Sequence, residues 1–365
     1  MANNAWNIVK ALRDHNFPAD LIVNAKEFGM GNPLWELLEI DQDPYNFNMK
    51  KELDKIVLPE WCKIWYPDDL HIAPQNILHL MKMVKPYRLL HCHPPSQIYL
   101  QFLGKDFVIH EAGWFYKLCN LDNISEKLGR RAMKYARAIV MTNPHHYRML
   151  PNLPHKTKFV FIPFIINTDY YKPMKVKKGE GDLFFFHPAR QYWRYKQNWK
   201  LFEAFRKFID AGYRAKLRCV YWGFLEEVNK SLELIKKLKL EAYVEWIEPV
   251  SKPRLIKLYN QADAVFDQFG CGSSGTVGFE TMSCGKPLVI YLNREWHLDT
   301  FGEVPPILNA RSPEQIFEMM KFVAEQPEAC KKIGEAEREF VLKYNHADVV
   351  APKFIKLYED LGVAA

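Results

Sequence analysis

The stretch from Gly270 to Ile290 reads Gly-Cys-Gly-Ser-Ser-Gly-Thr-Val-Gly-Phe-Glu-Thr-Met-Ser-Cys-Gly-Lys-Pro-Leu-Val-Ile. It has the grammar of a small-residue loop, a short helix, a glycine stop and a buried strand. Ser273 or Ser274 can cap the helix, Gly285 can end it, and Pro287 forbids its continuation. Such a loop lets backbone N–H groups approach a ligand closely, and the helix N-terminus favours an anion such as a diphosphate. Glu280 falls inside the helix, where a carboxylate can accept hydrogen bonds from ribose hydroxyls. A glycine-rich turn before an ordinary core helix is the plainer alternative. A second set lies upstream: Arg190 at the end of an apolar strand and Lys196 at the start of the next helix. Two fixed cations there can neutralise a diphosphate and the charge that develops on it as it leaves. Asp267, followed by Gln268, closes the strand before the loop. His110 ends the strand Asp106–His110, where it can contact a sugar or simply be a satisfied, half-buried histidine. Glu111 beside it is a carboxylate for acceptor binding or proton transfer.

Other patterns are weaker. His91-Cys92-His93 has a metal-like look but follows Leu89-Leu90 and reads as a strand end. Asp41-Gln42-Asp43 precedes Pro44 in a polar loop and reads as a turn. No metal site is expected. There is no Ser-His-Asp elbow, P-loop or intact Gly-x-Gly-x-x-Gly.

The run Glu280–Leu288 resembles the nucleotide-sugar loop of retaining glycosyltransferases of family 4, which have the GT-B fold. Their version runs "Glu-Ala-Met-Ala-Cys-Gly-Lys-Pro-Val". The first glutamate of the family's paired motif would fall at position 272, which here is Gly272. Arg190 and Lys196 are similar to the family's Arg/Lys pair for the donor pyrophosphate, and His110 to a histidine lining the donor-sugar site. That histidine often opens a "His-Gly-Ser-Asp" run, but Glu111-Ala112-Gly113 follows here. The segment Phe161–Pro173 looks like the family's interdomain connector. In relatives a strand and a small-residue loop precede a segment like Asn3–Leu12.

The resemblance implies an α/β protein with two Rossmann-like domains facing each other across a cleft. It implies sugar transfer from a nucleoside-diphosphate sugar, UDP- or GDP-linked, to a hydroxyl acceptor, with retention and without metal or further cofactor. His110, Arg190, Lys196 and Glu280 would be the catalytic set. Asp267, Gly272, Ser273, Ser274, Gly275, Thr276 and Glu280 would bind the donor. Asn3, Asn4 and Glu111 are the acceptor-side candidates. A non-catalytic scaffold, or an epimerase or phosphorylase on the same fold, is the competing expectation.

These residues need a frame of strands, and the chain supplies one. Short apolar runs predict strands at Ala19–Val23, Tyr87–Cys92, Asp106–His110, Ala138–Thr142, Lys158–Ile162, Leu183–His187, Lys216–Tyr221, Tyr243–Trp246, Ala264–Asp267 and Leu288–Tyr291. Amphipathic stretches between them predict helices, including 5–14, 70–84, 95–103, 123–137, 196–210 and 276–284. Two βα series argue for two parallel-sheet domains, 1–172 and 173–350, with a last helix in 351–365 crossing back to the first. The first domain is expected to be without its opening strand, either because the start has been shortened or because the domain manages without it.

At 365 residues the chain is comfortable for two domains. The net charge of +7 is shared evenly by the two halves, which argues against a nucleic-acid binder. Seven scattered cysteines without Cys-x-x-Cys spacing fit a reducing compartment. With no signal peptide and no membrane-length apolar run, the expected location is the cytoplasm. Lys127, Arg130, Arg131, Lys134 and Arg137, and separately Lys82, Lys85 and Arg88, form basic clusters. They are either solvated helix faces or a surface that docks on an anionic membrane, its inner face, as would suit a lipid-linked acceptor. A soluble saccharide fits the sequence as well.

Overall fold

The computed structural model describes residues 4–24, 57–65, 74–111, 124–144, 157–177 and 181–363. Asn3, the Asp41-Gln42-Asp43 triplet and Ala112-Gly113 lie outside them. Among the described residues the chain divides into two compact units. One holds the residues up to Ile165 together with those from Ala347 on; the other runs from Ile166 to His346.

The first unit begins with helix α1 (Asn4–Asp14), which no described strand precedes. Strands β1 (Leu21–Asn24) and β2 (Cys62–Trp65) pair in parallel as a separate two-stranded sheet. Helix α2 (Pro74–Val84) leads to a four-stranded parallel sheet in the order β3 (Leu89–Cys92), β4 (Asp106–Glu111), β5 (Ala138–Met141), β6 (Lys158–Phe161). Helix α3 (Gln97–Leu100) connects β3 to β4, and α4 (Ile124–Met133) precedes β5. Parallel strands are buried on both faces, which is why they read as unbroken apolar runs. Side chains alternate across the sheet. Phe107 and Ile109 face a core with Leu80, Leu100 and Met133 of α2, α3 and α4. Val108 faces the other way, onto Ile8 and Leu12 of α1 and Phe354 and Tyr358 of the C-terminal helix Ala347–Asp360. That helix is therefore part of the first unit's core.

The second unit is a six-stranded parallel sheet. Its strands are β7 (Leu183–His187), β8 (Ala215–Val220), β9 (Val244–Ile247), β10 (Ala264–Phe266), β11 (Leu288–Ile290) and β12 (Leu308–Asn309), in the order β12-β11-β10-β7-β8-β9. After β7 come a single turn, α5 (Trp193–Lys196), and then α6 (Trp199–Asp210). The expected helix 196–210 thus starts later, because Gln197 takes a left-handed φ of 53° and breaks it from the turn. Helix α6 presents Leu201, Phe202, Phe205 and Phe208 to the sheet, a spacing that places them on one face. Helices α7 (Leu225–Lys237), α8 (Lys252–Gln261), α9 (Thr276–Ser283) and α10 (Arg294–Phe301) link the later strands. Two longer helices, α11 (Pro313–Glu325) and α12 (Pro327–Asn345), close the unit; α11 starts at a Ser312/Gln315 capping box.

Candidate functional site

In the second sheet, chain order reverses between β7 and β10, which lie side by side. At such a switch point the two connections leave in opposite directions and open a crevice at the strands' carboxyl ends. Here those ends deliver Arg190 and Lys196 from β7, and Asp267 from β10.

A neutral histidine fixes the first end. Buried His187 donates from Nδ1 to the Phe266 carbonyl at 2.7 Å, and its Nε2 accepts from Asn198 Nδ2 at 3.0 Å. Burial holds its pKa down to about 4, in keeping with one N–H and one acceptor nitrogen. Asn198 also accepts the Tyr192 N–H (2.8 Å) and donates to the Arg190 carbonyl (3.2 Å), so the segment 190–198 is pinned at both ends. The Phe269 N–H bonds the Lys196 carbonyl at 2.8 Å. The two strand ends run so close that a Cβ on Gly270 would sit 2.1 Å from the Tyr195 carbonyl oxygen. Only glycine fits there.

Lys196 Nζ lies 3.1 Å from Asp267 Oδ1 and joins the two strand ends across the switch point. Asp267 is 1 % exposed, and its Oδ2 makes no hydrogen bond among the described residues. The Arg190 guanidinium lies over the rings of Tyr192, Trp222 and Phe224, with centroids at 5.3, 5.8 and 5.6 Å. Such stacking restrains the side chain without consuming its N–H donors. Burial raises the pKa of the Cys271 thiol, which also feels Lys196, Asp267 and Arg190 together. Arg190 and Lys196 thus both belong to the pinned segment 190–198, and Lys196 meets Asp267.

The loop after β10 is built from inside by Gln268. Its Nε2 donates to the Ser273 carbonyl and its Oε1 accepts the Cys271 N–H at 2.7 Å. Gly272 has φ +75°, and a Cβ there would press on Trp296 at 3.0 Å; its carbonyl accepts the Asn293 N–H at 2.9 Å. A glutamate at this position would be strained, so the departure from the paired motif has a backbone cause. Ser273 Oγ is buried without a hydrogen bond among the described residues. Helix α9 is capped by Gly275 rather than by Ser273 or Ser274, with no side-chain cap hydrogen bond among the described residues. The Ser274 hydroxyl instead donates to the Gly275 carbonyl at 3.2 Å, while Gly275 and Thr276 stay half-exposed at the helix start.

Glu280, a turn further on, is buried and held on both oxygens. Oε1 accepts from Lys252 Nζ at 2.5 Å and Oε2 from the Tyr259 hydroxyl at 3.1 Å. Burial, reinforced by the Glu280 charge, raises the Tyr259 pKa. Lys252 also lies over the Tyr171 ring, 5.5 Å from its centroid. Each carboxylate oxygen has a second lone pair, so Glu280 is oriented with acceptor capacity left over.

In the first unit, His110 is fully buried on the face shared with α1 and the C-terminal helix. Its Nε2 is 2.9 Å from Asn4 Nδ2 and its Nδ1 is 3.2 Å from His91 Nε2, while His91 Nδ1 is 2.5 Å from the Tyr358 hydroxyl. Donation from Asn4 to His110, His110 to His91 and His91 to Tyr358 satisfies all three contacts with neutral rings. Burial drives the His91 pKa down to about 3 and that of His93 to about 4. His93 stacks on His110 at 4.6 Å. The structure thus brings two sequence candidates, Asn4 and His110, into contact. Glu111 follows, buried, its carbonyl accepting from the Thr142 hydroxyl at 3.3 Å. Among the described residues no cluster of His, Cys, Asp and Glu is arranged to hold a metal ion.

Sequence reasoning does not single out Lys252, Tyr259, His187 or Asn198. Gln268 is visible only as the neighbour of Asp267. Lys252 sits in Ser251-Lys252-Pro253, an ordinary helix start whose partner is remote in sequence.

Residues 172–340 match the model of the family described as glycosyl transferases group 1. No curated protein sequence matches the chain. Solved structures align over nearly its whole length. HepE of Anabaena in complex with UDP-glucose is 12 % identical with a TM-score of 0.72, covering 98 % of this chain and 95 % of that one. Sucrose-phosphate synthase from Thermosynechococcus elongatus is 13 % identical with a TM-score of 0.69, covering 98 % and 92 %. A glycosyltransferase from Rickettsia africae is 16 % identical with a TM-score of 0.66, covering 100 % and 95 %.

Proposed function

We propose that this chain, a GT-B protein whose residues 172–340 belong to the glycosyl transferases group 1, transfers a sugar from a UDP-sugar to a hydroxyl acceptor with retention. The observation that carries the reading is the Lys196–Asp267 pair at the switch point, beside Arg190 and the loop 270–276. UDP is the first choice because HepE, similar in fold, is seen with UDP-glucose. Arg190 and Lys196 take up the diphosphate charge as the C1–O bond to phosphate breaks. The N-terminal amides of α9 face the same anion. Glu280, aimed by Lys252 and Tyr259, accepts from the ribose hydroxyls. The acceptor oxygen bonds C1 on the face the phosphate leaves, and its proton goes to the departing phosphate oxygen. Fixed cations supply the charge stabilisation, so no metal is needed in this scheme.

A second reading, a nucleotide-binding scaffold without transfer, draws on one observation: both ring nitrogens of His110 are engaged by Asn4 and His91.

Thermal-shift screening against UDP, GDP, ADP and their sugar conjugates tests donor binding. A ligand at a hundredfold its Kd adds about 2.7 kcal/mol, a readily measured rise in Tm. Stabilisation by UDP and its sugars supports the reading; no shift with any nucleotide in folded protein contradicts it. NMR of the product's anomeric centre then tells retention from inversion, and no glycoside from a stabilising donor selects the scaffold.

A further inference from the structure

Helices α2, α3 and α4 cover one face of the first unit's main sheet, their inner sides meeting in a single core. Their outer sides lie next to one another. Gln101 after α3 bonds the Leu128 carbonyl of α4 at 3.2 Å, and Lys105 reaches the Lys85 and Tyr87 carbonyls beyond α2 at 2.8 and 2.9 Å. This outer layer is unusual in two respects at once. Its apolar side chains point to solvent: Leu78 is 58 % exposed, Phe102 58 % and Ile124 76 %, with Met81 and Tyr135 exposed beside them. It is also strongly basic. Lys82 and Lys85 follow Met81 at the end of α2, and Lys127, Arg131 and Lys134 lie along α4 and just past its end, all exposed. In the described residues from 74 to 137 the only carboxylates are Asp106, Glu111 and Glu126. Of these Glu111 is buried and Asp106 is paired with Arg137 at 2.6 Å. Arg131 sits between two exposed aromatic rings, 5.4 Å from the Phe102 centroid and 5.3 Å from that of Tyr135.

We infer that this layer is a docking surface for an anionic lipid bilayer. The cations match a negative headgroup plane, and the interleaved Leu78, Met81, Phe102 and Ile124 match the acyl boundary beneath it. A soluble polyanion would satisfy the charges and leave the aliphatic side chains in water. A second copy of the same face would bring like charges together. No helix among the described residues is long and apolar enough to cross a membrane, so the contact is a surface one. The inference stands apart from the sugar-transfer reading and supplies that reading with a lipid-linked acceptor.

The test is co-sedimentation of the full chain with phosphatidylcholine vesicles with and without phosphatidylglycerol. Binding is expected only with the anionic lipid. Each cation removed should weaken it about fivefold, so K127A/R131A/K134A should lose about a hundredfold. F102S/I124S should weaken vesicle binding while retention on heparin stays unchanged. UDP affinity, measured on the same variants, should not move. Failure of folded wild-type protein to bind anionic vesicles overturns the inference, as does equal binding by the triple variant. So does unaltered vesicle binding by F102S/I124S, which would assign the face to soluble polyanions.

Discussion

The carboxyl ends of the two sheets both gather titratable side chains, in contrasting surroundings. In the first unit the rings of His91, His93 and His110 are stacked, His110 bonded to Asn4 and His91 to Tyr358, and burial holds His91 and His93 below the usual histidine range. In the second, Lys196 lies against Asp267 and Arg190 over the Tyr192 ring, and Glu280 of the following helix is paired with Lys252. Burial expels charge unless a counter-charge or fixed dipole holds it. The difference teaches what a strand-end residue signifies. A histidine there can be held by packing and hydrogen bonds, whereas a partly exposed lysine beside a buried carboxylate has more N–H donors than that one contact uses. The anion-binding half of the proposed chemistry falls to the second unit.

The sharpest way to break the contrast is to strip one charge from its partner. Lys252→Ala leaves Glu280 buried and unpaired and should cost the second unit about 3–5 kcal/mol. Replacing both partners, as Lys252→Met with Glu280→Leu, should cost far less. Denaturant unfolding, with hydrogen exchange to localise the loss, checks this.

Acid should separate the units next. A histidine whose folded pKa lies below 6.5 stays neutral in the native state while the unfolded chain takes up a proton. Its contribution is complete above pH 6.5 and falls as pH drops toward the folded value. His91 (about 3) and His93 (about 4) should together remove about 2.7 kcal/mol per pH unit from the first unit between pH 6 and about 4.5. In the second unit His187 and His297, both lowered by burial, act in the same direction. Burial raises the Glu337 pKa well above its usual 4.5, and that acts oppositely, since stability is lost as pH rises from 4.5 toward the folded value. Hydrogen exchange at pH 5 and 6.5 should show the first unit's strands deprotecting more than the second unit's.

The smallest effect sharpens the same point. Glu337→Gln keeps an acceptor for the Leu288 N–H and abolishes the buried acid. Tm at pH 8 should rise by about 2–4 °C, the shift produced by ~1 kcal/mol in a unit of this size, and the gain should vanish near pH 5.

Most strands are legible in the sequence because they are buried on both faces. Leu183-Phe-Phe-Phe-His187 and Ala138-Ile-Val-Met141 admit no other reading. Cys62–Trp65 escapes because Lys63 interrupts it and its two middle residues are only half-buried, and Leu308–Asn309 because two residues carry no period. Helix α10 carries its signals, an Asn293 cap and a Gly302 stop, but buries only His297 and Phe301, too little for an apolar stripe. Within the site, the residues that would face a ligand could be named from their place at strand ends. Their supports could not. Lys252 finds Glu280, and His187 finds the Phe266 carbonyl, only once the sheet has brought distant segments together. The left-handed turn at Gly272 is equally a tertiary fact, set by Trp296 and Asn293.

Calorimetric titration of UDP and of uridine into the wild-type chain and into Lys196→Ala tests the central claim most directly. If the charged strand ends of the second unit hold a diphosphate, the variant should bind UDP about 10- to 100-fold more weakly while its affinity for uridine is unchanged. Equal UDP affinity in a folded Lys196→Ala protein would contradict the assignment.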